Sequence, residues 1–272
     1  MTRPEIKIAP PKTTSFDLAE LWENRELLYF FTWRDIKVKY KQTYLGILWV
    51  VLQPLLLMLV FYFLFFKTLN IRVGIAYPVY SFAGLILWGL FSAGITHSSE
   101  SLLSSSQIIR KIYFPRLLIP LASLLTAMID FLIAFALLFI LLIIFQQPVS
   151  WKAFFCFPIA IILTFISSFG IGSLLAALNV KYRDFRYLLP FGIQVLFFSS
   201  QIVYSIHSLQ GPFGWLLYFN PLNGALEIFY YPLQNQYLNF TGILISTGAA
   251  IVFLMGGLIY FKKTEVYFAD II

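Results

Sequence analysis

The sequence predicts an all-α membrane protein whose 272 residues cross the bilayer six times. Three observations carry that prediction. Apolar residues make up 60% of the chain and charged residues 11%, where a soluble domain averages about 25% charged. The apolar residues fall into segments able to span a hydrocarbon core of ~30 Å as helices of about 20 residues. The cations gather in alternate connecting segments, as the positive-inside rule requires.

Taken in order, the spans run roughly 48–66, 79–98, 117–145, 153–178, 187–204 and 242–261. The third exceeds what a bilayer needs, so it should tilt or protrude. Six spans place both termini on one side, and the cations say which. Eight Lys and Arg lie in 1–47, with Arg110, Lys111, Arg116, Lys181, Arg183, Arg186, Lys262 and Lys263 on the same side. Only Lys67, Arg72 and Lys152 fall opposite. The termini are therefore expected in the cytoplasm. The net charge of +7 orients the chain and calls for no nucleic acid. No secretory signal is expected in the first 47 residues, which lack a short apolar core before a cleavage site. The lone Cys156 excludes an intrachain disulfide and reads as packing among Phe154, Phe155 and Phe157. Two parts follow: a cytoplasmic segment, 1–47, and a membrane domain, 48–272.

Before the first span, residues 29–44 carry Tyr29, Trp33, Ile36, Tyr40 and Tyr44 at helical spacing. Arg34, Lys37 and Lys41 share a neighbouring face. Such a helix suits the cytoplasmic interface, rings at headgroup depth and cations towards anionic lipid. It reads either as an anchor or as a gate around a path. Gly46 lets the chain turn into the first span, which Pro54 should kink. Trp49 and Gln53, one turn apart, can face protein rather than lipid.

Between spans two and three, Ser104 to Ser106 can cap a short helix beginning near Gln107, which Pro115 ends. Its exposed part, Ile108, Ile109, Arg110, Lys111, Ile112, Tyr113 and Phe114, is apolar and basic together. Either it hugs the membrane interface or it docks a soluble subunit. On the outer side, 205–241 holds one charge, Glu227, and two apolar pieces too short to cross, divided at 220–224. They form either two helices on the surface or a re-entrant pair. A re-entrant pair implies a surrounding cavity, since irregular chain at membrane depth needs protein or water around it. Trp215, Tyr218, Phe219, Phe229, Tyr230, Tyr231 and Tyr237 can line that path or serve as an interfacial belt.

Catalytic chemistry is not evident. The sequence has no P-loop, no H-E-x-x-H and no G-x-S-x-G. Its two histidines, His97 and His207, fall on opposite sides by this topology and cannot share a metal. No metal site, bound cofactor or enzymatic activity is expected of this chain. Asp130 is the main ionisable residue inside a span, where a lone carboxylate is costly. It is a structural hydrogen-bonder, part of a substrate path or a proton relay.

The stretch RDIKVKYKQTYLGILWVVLQP, 34–54, resembles the start of the permease subunits of ABC-2-type polysaccharide and polyol-phosphate exporters. The resemblance continues through RKIYFPR (110–116), NVKYRDFRYLLP (179–190), YFNPLN (218–223) and FKKTEVYFADII (261–272). It implies a homodimer in the inner membrane served by two soluble ATPase subunits, which bind ATP and Mg. It implies a gate helix at about 16–45, an ATPase-docking helix at about 104–114 and re-entrant helices at about 211–236. The family's cargo is O-antigen, capsule or teichoic-acid chains on lipid carriers. On that reading Arg34, Lys37 and Lys41 attract the phosphate-bearing lipid head, and the glycan threads outward past aromatic residues. A secondary transporter of a smaller solute is the alternative. Lone Asp130 and the lack of a visible repeat speak against it, and no carboxylate or histidine cluster supports a membrane enzyme.

Overall fold

Each apolar segment is helical in the computed structural model, which describes residues 18–41, 46–71, 73–182, 184–206, 214–234 and 237–268. Helix α1 is Leu18–Glu23 and α2 is Arg25–Lys41. Helix α3, Leu48–Phe61, continues as a π-helix through Thr68. The others are α4 Tyr77–Ser104, α5 Ser106–Ile109, α6 Leu118–Ile144, α7 Ala153–Lys181 and α8 Phe185–Phe198. A 3₁₀ turn, Gly214–Phe219, leads to α9, Pro221–Gln234, and then α10, Phe240–Glu265.

The ends follow from local chemistry. Pro78 occupies the first turn of α4, where its missing N–H is no loss. Helix α6 stops because Gln146 takes a left-handed φ of 49°. The Gln147 amide then donates to the Leu142 carbonyl at 3.0 Å. Asn239 caps α10 by accepting from the Gly242 amide at 3.0 Å.

Among the described residues five helices are long and apolar enough to cross a bilayer: α3 with its π extension, α4, α6, α7 and α10. Helix α8, expected as a span over 187–204, has 14 residues and a length of about 21 Å. Its apolar run breaks at Ser199-Ser200-Gln201, whose side chains take backbone and tertiary partners.

Helix α4 lies at the centre, packed on α6, α7 and α9. Helices α7 and α10 cross where Gly170 meets Gly257. A Cβ on Gly257 would collide with the Gly170 carbonyl, so only glycine permits this approach.

A second apolar cluster lies at the end bearing the N-terminal helices. It joins Phe31, Leu102, Ile109, Phe114, Leu118, Val180, Phe261 and Phe268. Its origin is length. Helices of 26 to 29 residues run about 39–44 Å, beyond a ~30 Å core. Their surplus turns bundle together at this end. Arg116 ties this bundle by donating from its backbone amide to the Glu265 carboxylate at 3.1 Å and from its guanidinium to the Glu265 carbonyl. The described cations other than Lys67 and Lys152 sit around this basic end.

Candidate functional site

Helix α2 lies along α6. Phe31 is buried against Phe114, ring centroids 5.3 Å apart. One end of α2 thus sits at the base of α6, and the other reaches Asp130. There Lys39 forms an ion pair with the Asp130 carboxylate, and the Tyr40 hydroxyl donates to its second oxygen. Burial, and then the Asp130 bond and charge, push the Tyr40 hydroxyl above its ordinary pKa, so it remains a donor.

Asp130 is midway along α6 by count. Beside it stand Trp49, Gln53 and Pro54 of α3, which line one cavity with it.

The other residues of α2 divide. Tyr29 and Trp33 stack at 6.5 Å and are exposed. Arg34 pairs with Asp35 at 2.8 Å and lies over Phe31. Lys37 lies 5.3 Å from the Trp33 ring centre, and both Lys37 and Lys41 are exposed. Tyr44 lies outside the described residues. The sequence did not single out Lys39, the one α2 cation that, among the described residues, pairs with a carboxylate from another helix. Its signal was the cost of a lone intramembrane carboxylate, which demands a cation from somewhere. Nothing in the sequence says which.

A cavity of about 320 Å³ opens between α2, α3, α4 and α6. Lys39, Asp130, His97, Gln53, Trp49 and Gly89 are among its lining residues. Gly89 has no described atom within 4 Å of where a Cβ would stand. Glycine inside a helix costs ~1 kcal/mol relative to alanine, and here no neighbouring atom requires it. Gly84 and Gly94 on the same helix are explained by contacts with Tyr230 and Leu124.

The α4–α6 connection is helical only over Ser106–Ile109, shorter than the 104–114 expected. Ile109 is buried in the second cluster and Ile108 is half-buried. Ile112 and Tyr113 are 59% and 81% exposed, beside exposed Arg110 and Lys111. An apolar face flanked by cations thus points away from the bundle. The 179–186 connector carries a weaker tie, Arg186 to Glu100 at 3.7 Å. Arg183 lies outside the described residues.

At the opposite end, Asn220 alone breaks the chain, and Pro221-Leu222-Asn223-Gly224 is the first turn of α9. The Asn220 carboxamide accepts from the Leu222 amide at 3.1 Å and donates to the Leu196 carbonyl at 2.9 Å. Asn223 donates to the Ser199 and Leu217 carbonyls and accepts from the Gln201 amide. Tyr218 donates to Glu227 at 2.6 Å, and the Asn239 amide donates to its other oxygen at 2.6 Å. Burial, then the Glu227 bond, raises the pKa of the Tyr218 hydroxyl. Tyr230 stacks on Tyr80 at 4.3 Å. Of the rings expected along a path, Trp215 and Phe219 are exposed, whereas Tyr218 and Tyr230 are buried in protein. His207 lies outside the described residues.

Among the described residues no group of three His, Cys, Asp or Glu can hold a metal. The arrangement offers a charged cavity, an exposed apolar and basic face and two helices, α3 and α8, left mostly uncovered. Both carry an exposed amide, Gln53 and Gln194. An amide at membrane depth needs a protein or water partner.

Comparison with known proteins places this arrangement. Residues 26–233 match the model of a family described as ABC-2 type transporter. The chain is 30% identical over 247 residues to a Klebsiella pneumoniae protein named O-antigen export system permease protein RfbA. That match covers 91% of this chain and 95% of the relative. It is 28% identical to the Myxococcus xanthus protein of the same name, over 70% of this chain and 73% of that one. It is 27% identical to the Escherichia coli polysialic acid transport protein KpsM, over 72% of this chain and 76% of that one. The chain, a multi-pass membrane protein, belongs to the ABC-2 type transporter family.

Proposed function

We propose that the chain is the membrane subunit of an ATP-driven exporter that carries a lipid-linked polysaccharide of the O-antigen type across the cytoplasmic membrane. The observation that carries this reading is the likeness to O-antigen permeases over nearly the full length of both chains. Two copies form the channel, with α3 and α8 facing the seam. Their exposure and their amides Gln53 and Gln194 support this. The basic end faces the cytoplasm, in keeping with its cations. Both termini lie there, α8 and the residues after it complete a sixth crossing, and the 3₁₀ turn with α9 forms a re-entrant pair. The level of Ser246, one and a half turns into α10, supports that last point. Its hydroxyl donates to the Asn220 carbonyl and accepts from the Gly224 amide, so the turn is deeper than the start of α10.

ATP and Mg are bound by separate ATPase subunits that dock on Arg110, Lys111, Ile112 and Tyr113. Their strokes move the basic end. Helix α2 is the gate. Its Tyr29 and Trp33 sit at headgroup depth, and Lys37 and Lys41 draw the phosphate-bearing head of the substrate. Trp215 and Phe219 flank the outer mouth, and Tyr218 and Tyr230 hold its walls. Deleting the gene should abolish the surface polysaccharide and leave lipid-linked chains inside the cell, with the plasmid-borne gene restoring export. Normal surface polymer in the deletion strain contradicts the reading.

A further inference from the structure

We propose that the cavity between α2, α3, α4 and α6 is a binding site for one or two neutral sugar rings of the cargo. The inference rests on the exporter reading above and assigns residues to recognition of the glycan itself. The volume, about 320 Å³, falls at the lower end of the ~300–1,000 Å³ typical of small-molecule sites. Its walls combine a ring with convergent hydrogen-bonding groups. Trp49 is half-exposed and offers an indole face for stacking on sugar C–H groups. Gln53 offers an amide donor and acceptor, and no described residue hydrogen-bonds to it. His97 and Asp130 add polar atoms from α4 and α6.

Charge decides against an anion here. The cavity's cation, Lys39, is already matched by Asp130. A phosphate would bring a second negative charge beside that carboxylate, in a site partly withdrawn from water. A hydroxylated neutral ligand meets no such repulsion and can use both members of the pair, donating to Asp130 and accepting from Lys39. The exposed cations Lys37 and Lys41 lie outside this cavity and remain for the phosphate. Gly89 fits the same picture. Glycine weakens a helix interior, no neighbour requires it, and Gly89 borders the cavity, so a large side chain there would compete with a ligand.

The test uses the permease–ATPase complex in nanodiscs. The probes are oligosaccharides cut from the host's own surface polysaccharide, free of lipid and phosphate, and inorganic diphosphate as competitor. Saturable oligosaccharide binding is expected in the unaltered complex, with no competition from diphosphate. Gly89→Phe and Gln53→Ala should each weaken it by about tenfold or more. Gly89→Phe should keep the melting temperature, because open space surrounds the new side chain. Undiminished binding by folded Gly89→Phe, displacement by diphosphate, or no binding by the unaltered complex overturns the proposal. Surface polysaccharide that disappears on gene deletion, together with full binding by Gly89→Phe, sinks the sugar site alone. Polysaccharide that persists on deletion sinks the exporter reading itself.

Discussion

Two carboxylates hold the two ends of this molecule, and they are held differently. Glu227 is buried at 5% exposure, and its oxygens take the Tyr218 hydroxyl and the Asn239 amide, beside a second set of bonds made by Asn220, Asn223 and Ser246. Asp130 borders a cavity, and its partner Lys39 has a side chain 36% exposed to solvent. A saturated buried network rigidifies what it joins, because each group that loses its partner remains buried. The Lys39–Asp130 pair, 36% and 16% exposed, lies nearer to water or ligand and loosens at less cost. The Glu227 end is therefore the more tightly tied of the two.

Substitutions can break that contrast. The largest expected effect is Glu227→Ala, which unpairs the buried Tyr218 hydroxyl and the half-buried Asn239 amide and should cost about 3 kcal/mol. Thermal unfolding in detergent measures it, and Glu227→Gln, which keeps an acceptor, should lose clearly less. Second is the joint replacement of Arg34, Lys37 and Lys41 by glutamine. Each cation at an anionic surface is worth on the order of 1 kcal/mol. Arg34 already engages Asp35, so the triple variant should lose roughly 2 kcal/mol of substrate capture. The concentration of lipid-linked glycan that half-stimulates ATP hydrolysis reports it.

Asp130→Asn ranks third. It dissolves the ion pair but retains a hydrogen-bond acceptor, so stability should fall by about 1 kcal/mol or less once the exposure of Lys39 is counted. A spin label at Val38, which is exposed, should become more mobile. An equal loss for Asp130→Asn and Glu227→Gln would erase the difference between the ends. Smallest in the protomer is Ile112→Asp with Tyr113→Ala. These exposed positions should change stability by no more than ~0.5 kcal/mol. The same variant should nonetheless fail to retain a co-expressed ATPase during purification.

The spans were legible because length and apolarity suffice to specify them. Helix α6 was expected at 117–145 and runs Leu118–Ile144. The expected 153–178 became Ala153–Lys181, longer because its last turns bury Ala176, Ala177 and Val180 in the basic-end cluster. The expected 187–204 is helical only over Phe185–Phe198. Hydropathy does not register that Gln201 would bond Asn223, 22 residues on. The apolar and basic character of 108–114 was legible, but its inward residue Ile109 could not be told from the outward Ile112 in so short a connection. Lys39 escaped because its partner lies 91 residues away. Helical periodicity reports which residues share a face, not which distant carboxylate that face will meet.

The central claim is export of a glycan by this chain together with an ATPase, and reconstitution tests it most directly. Proteoliposomes holding the chain and its ATPase would be loaded with lipid-linked glycan. Delivery across the bilayer would be read with a glycosidase confined to the receiving side. Cleavage should require the ATPase, ATP and Mg, and should vanish with the Ile112→Asp, Tyr113→Ala variant. Delivery by the chain alone, driven by an ion gradient without the ATPase, would contradict it.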